Sequence, residues 1–152
     1  MENAYKLLYA FAGPKIDGAS LDYLTSPREC ITGLKKGVKQ SLMVTFGMKA
    51  YVGKPINIYT SITPQGKETT VDLARLSNSF YTTLRATPLS DEVGLFLMVM
   101  EVQDVVIDSD GVYEVNVRLF PSDETPSQEN QLDSIRSFFF AKSIHGDSHA
   151  VK

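Results

Sequence analysis

Apolar and polar residues alternate with a period of two along most of this chain, which predicts strands with one buried face and one wetted face. Between 42 and 48, Leu42, Val44, Phe46 and Met48 fall on one side, with Met43, Thr45 and Gly47 on the other. Tyr5, Leu7, Tyr9 and Phe11 share a face near the start. Ile56, Ile58 and Ile62 do so in the middle, and Tyr113, Val115, Val117 and Leu119 do so later. Two segments are apolar on both sides. In 137–144, Phe139 and Ala141 oppose Phe138, Phe140 and Ile144. In 94–102, Leu95, Leu97 and Val99 oppose Phe96, Met98, Met100 and Val102. In a two-layer sandwich only one face of a strand meets the opposite sheet. The other face of 94–102 therefore needs a cover, and the long loop at 121–131 is too polar to provide one. A second chain is the expected cover, with Phe96, Met98 and Met100 as the interface of a homo-oligomer.

Turn signals separate the runs at 13–18, 63–67, 87–94 and 108–111. Helix is scarce. The segment 26–37 is read as a short helical turn after Pro27, ended by Gly33 or Gly37. Residues 71–85 are ambiguous, and two short strands fit them slightly better than one helix. The pattern predicts an all-β fold: an antiparallel β-sandwich of about seven to nine strands with at most one or two short helices. Residues 1–144 form one domain in this reading, and 145–152 a flexible C-terminal tail.

Composition narrows the partners. Fifteen Lys and Arg stand against eighteen Asp and Glu, for a net charge of −3. That balance argues against general nucleic-acid binding. No apolar run approaches the ~18 residues of a membrane helix, so no membrane association is expected. Cys30 is the single cysteine, which excludes an intrachain disulfide and favours a reducing, cytoplasmic setting.

Candidate chemistry is sparse. Asp108-Ser109-Asp110-Gly111 resembles the start of a calcium loop, but the first and last ligand positions would fall on Val106 and Val117, which cannot coordinate. A turn explains these residues: Asp bonds nearby amides and Gly relaxes the backbone. Asp91-Glu92 and Asp123-Glu124 are the further carboxylates that a loop-built site would pool. His145, Asp147 and His149 alternate in the expected tail, where a rigid catalytic or metal site is not anticipated. Cys30 reads as a small buried hydrophobe or an idle thiol rather than a nucleophile. The basic run Gly33 to Lys39 lacks the spacing of a phosphate loop. Tyr51, Tyr59 and Tyr81 are candidates to line a ligand groove. No catalytic, cofactor or metal residue is assigned.

The order of elements resembles that of small uncharacterised bacterial β-sandwich proteins. The resemblance is carried by YKLLYAFA leading to Asp17-Gly18 and SLDYLT, by LMVTFGM before a strand ending in Pro64-Gln65-Gly66, by GLFLMVMEVQDVVI, and by Gly111-x-Tyr113-x-x-x-Val117 before FFFAK. Residues 68–93 depart from the pattern. The resemblance implies a fold and no activity. The leading expectation is a non-enzymatic sandwich acting through a protein partner or self-association. The alternatives are a virus or phage particle component, and a small enzyme or ligand-binding protein with a carboxylate and tyrosine pocket.

Overall fold

A computed structural model describes residues 4–15, 29–66 and 81–144. Among them the chain is all-β, with eight strands and no helix. The strands are β1 (Lys6–Pro14), β2 (Cys30–Lys35), β3 (Lys39–Tyr51), β4 (Ile56–Pro64), β5 (Tyr81–Pro88), β6 (Val93–Val106), β7 (Gly111–Pro121) and β8 (Asp133–Ile144). They form two four-stranded sheets, ordered β1-β3-β6-β5 and β2-β8-β7-β4. The predicted β-sandwich is thus present, with one exception to its antiparallel character: β2 runs parallel to β8.

The period-two pattern decides which side chains fill the space between the sheets. Leu42, Val44, Phe46 and Met48 from β3 meet Val115, Val117 and Leu119 from β7, with Ile58 of β4 and Phe139 and Ala141 of β8. Burying a Val, Leu, Ile, Phe or Met side chain contributes about 1.5–3 kcal/mol, so this one cluster dominates the stability of the fold. Asp133 ties the layers together at one end, its carboxylate accepting the Leu7 amide at 2.7 Å.

Three expectations are corrected. The segment read as a helical turn is strand from Cys30 to Lys35, closed by a turn at Gly37, whose φ is 76°. Pairing with β8 overrides a weak helix signal here. Residues 26–28 lie outside the described residues, as do 71–80 of the ambiguous segment; 81–85 belong to β5.

In β1 the shared face of Tyr5, Leu7, Tyr9 and Phe11 does not survive. The register shifts between Leu7 and Tyr9, consistent with a β-bulge. Leu7 points into the core, but beyond the shift Ala10 and Ala12 do so instead, and Tyr9 is exposed. The Tyr9 ring lies over Gly47, where a Cβ would come within 2.5 Å of it.

The third correction concerns β6. Its two faces are partitioned as the sequence predicts, but the one assigned to a partner is the inward one. Met98 and Met100 are 2% and 1% exposed within the core, and Phe96 and Val102 pack against it. Phe96, Met98 and Met100 are therefore core side chains, not an outer interface. The outer face carries Leu97 and Val99, which pair across to Gly47 and Thr45 of β3.

Candidate binding face on the second sheet

The outer surface of the β2-β8-β7-β4 sheet has two contrasting halves, both set by strict alternation along β8. Its odd-numbered residues Phe139, Ala141 and Ser143 are buried, while Ser134, Arg136, Phe138, Phe140, Lys142 and Ile144 are exposed. In the register of β7 and β8, Phe140 lies beside Val112, Phe138 beside Glu114, Arg136 beside Asn116 and Ser134 beside Arg118. Cys30 of β2 pairs with Phe140 on its other side.

The first half is apolar. Phe138, Phe140 and Val112 are 48%, 42% and 39% exposed. Single exposed hydrophobes are ordinary on protein surfaces, but adjoining ones on paired strands form a patch. Arg136 and Lys142 flank it along β8. Lys142 lies 3.8 Å from Asp110.

The second half is polar and concave. Arg118, Arg136 and Asn116 on the strands, with Gln128 and Gln131 from the loop joining β7 to β8, line a cleft of about 470 Å³. The loop wall is held by reciprocal bonds. The Ser127 amide donates to Asn130 Oδ1 at 2.8 Å, and the Asn130 amide donates to Ser127 Oγ at 3.3 Å. Asn130 Nδ2 also donates to the Thr125 carbonyl, and the Leu132 amide donates to the Leu119 carbonyl. Beneath the boundary of the two halves, Glu114 is 4% exposed. It accepts a bond from Asn116 Nδ2 at 3.2 Å and lies 3.9 Å from an Arg136 nitrogen.

The other sequence candidates scatter. Asp110 is a strand tie: its Oδ1 accepts the Ser143 amide at 2.8 Å and the Ser143 hydroxyl at 2.6 Å. The Asp108–Gly111 segment is thus a turn that pins β7 to β8. Asp91-Glu92 lie in the β5–β6 hairpin, at the opposite end of β6 from Asp108. Asp123-Glu124 follow β7. Among the described residues no three His, Cys, Asp or Glu gather as a metal site. His145, Asp147 and His149 lie outside the described residues. Cys30 is exposed beside Phe140, rather than buried.

The three tyrosines do not converge. Tyr51 stands edge-on to Tyr5 at 5.3 Å with Lys54 over its ring. Burial, with the Tyr51 hydroxyl second, raises the Tyr5 pKa. Tyr59 is buried against Phe120 on the other sheet, and Tyr81 begins β5 at the opposite end of the first sheet from Tyr51.

Sequence reading missed Arg118 and Arg136, because each stands alone among ordinary strand residues. The available signal was register: both occupy outward positions of neighbouring strands, diagonal to each other. Diagonal neighbours on one sheet face lie about 7–8 Å apart, within reach of long side chains.

No family model matches this chain, and no curated protein matches it. Among solved structures, the chain is similar to the ASH / PapD-like domain of human CEP192 (PapD-like domain 7). The match has 13% identity and a TM-score of 0.29, and covers 88% of this chain and 99% of that one.

Proposed function

We propose that this protein is a non-enzymatic binding module whose contact surface is the outer face of the β2-β8-β7-β4 sheet. The observation that carries this reading is the side-by-side exposure of Phe138, Phe140 and Val112 on paired strands. Nothing in the interior of the fold requires aromatic rings at 138 and 140, since Phe139 and Ala141 already fill the core side of the strand. The occupant is a protein segment bearing apolar side chains with carboxylates beside them. Apolar contact with the Phe rings provides affinity, and Arg136 and Lys142 at the two ends provide orientation. The carboxylate and tyrosine pocket of the enzyme alternative has no support in the placement of Asp91, Asp108, Asp110 and the three tyrosines described above.

The test is selection of peptides from a random display library against the full-length chain, followed by mapping of the bound peptide by amide chemical shifts. The expected peptides are enriched in aliphatic or aromatic residues next to Asp or Glu, and they shift Val112, Phe138 and Phe140. Peptides that bind equally to a Phe138→Ser/Phe140→Ser double variant would refute the assignment of the face.

A further inference from the structure

The cleft beside the apolar patch shares Arg136 with it but has its own chemistry. Two guanidinium-bearing side chains sit diagonally on neighbouring strands, Arg118 on β7 and Arg136 on β8. Three side-chain amides, from Asn116, Gln128 and Gln131, line the same space. Arg136 has a side chain 57% exposed, and its contact to Glu114 is long, at 3.9 Å. The Glu114 carboxylate is already engaged by Asn116. A guanidinium offers five donors in a planar fork that matches an oxyanion, and such charge-assisted bonds are roughly twice as strong as neutral ones. Carboxamides add neutral donors that fix the orientation of the bound group. The wall of the cleft is fixed in advance by the Ser127–Asn130 reciprocal bonds, so binding does not have to order it.

We infer that the Arg118/Arg136 cleft is an oxyanion site that takes a carboxylate or a phosphate group.

The test is a nuclear magnetic resonance titration of the full-length chain with inorganic phosphate and, separately, succinate. Ionic strength is held constant, and chloride serves as the control. The expected result is saturable movement of the Arg118 and Arg136 Nε signals and the Gln128 and Gln131 side-chain amides with at least one of the two probes, and none with chloride. The tighter probe identifies the group as phosphoryl or carboxyl. Arg118→Gln and Arg136→Gln each weaken binding about tenfold, the loss expected for one charge-assisted contact. If a Gln variant does not fold, the wild-type titration still decides. No saturation by roughly 50 mM, well beyond the millimolar range of weak specific binding, overturns the site. So does equal movement with chloride, or undiminished binding by folded Gln variants. Failure here leaves the apolar face untouched, because Phe138→Ser/Phe140→Ser tests that face alone.

Discussion

Replacing Met98 with Glu separates the inward placement of the β6 Met98/Met100 face from the outward one expected from sequence. Met98 is 2% exposed, and its sulfur accepts the Thr83 hydroxyl at 3.3 Å. Losing the buried side chain removes about 1.5–3 kcal/mol of apolar burial. A carboxyl in that place stays neutral, and holding it neutral at pH 7 against an ordinary pKa of ~4.3 costs about 3–4 kcal/mol. An unpartnered carboxyl group adds about 1–3 kcal/mol. The sum, about 5–10 kcal/mol, spans most of the stability of a typical domain, about 5–15 kcal/mol. Met98→Glu is therefore expected to be unfolded or barely folded at 25 °C, as read by urea titration and near-ultraviolet circular dichroism. Met98→Leu, which keeps volume and polarity, is expected to lose less than about 1.5 kcal/mol. A Met98→Glu protein that unfolds cooperatively at nearly the wild-type urea midpoint would refute the reasoning and return this face to the surface.

Two further outcomes follow from the ties between strands. Asp110→Ala removes the acceptor for the Ser143 amide and hydroxyl and is expected to destabilise by about 1–3 kcal/mol, whereas Asp110→Asn keeps a carbonyl acceptor and loses less; equal losses in urea titrations would contradict this. Glu101 has its pKa lowered by the Ser41 hydroxyl bond first and by Lys15 second. A lowered folded pKa means a contribution present above the ordinary carboxylate range and lost as pH falls below it. The stability gap between wild type and Glu101→Gln is expected at pH 7 and should close as the solution is acidified; a gap independent of pH would show that charge plays no part.

Much of the fold was legible because β3, β4, β7 and β8 obey a strict period of two. Leu42 to Met48, Ile56 and Ile58, Tyr113 to Leu119, and the split of Phe139 from Phe138 and Phe140 all fall as the alternation dictates. The failures have local physical causes. The register shift after Leu7 reverses the faces of β1, and no residue type announces it. In β6 both faces are apolar, so hydrophobicity alone could not choose between Met98/Met100 and Leu97/Val99. The choice is set by which face of the neighbouring β3 carries Phe46 and which carries Gly47 and Thr45. β2 forms by pairing with a strand about 110 residues away in sequence, a contact beyond any local window. The binding face was half legible. Phe138, Phe140 and Ile144 were visible as a surplus apolar face, but Arg118 and Arg136 become neighbours only through the β7–β8 register.

The outer face of the second sheet is the proposed binding surface of this protein. It is tested most directly by measuring the affinity of a library-selected peptide for wild type and for Phe138→Ser/Phe140→Ser, with thermal melting of both. The rings are 48% and 42% exposed, so each loses about half of a full Phe burial, and the double variant should stay folded with a loss of about 1.5–3 kcal/mol in all. Affinity is expected to fall at least about tenfold in that folded variant, the scale of losing one anchor in an interface. Retained affinity in a folded double variant would contradict it.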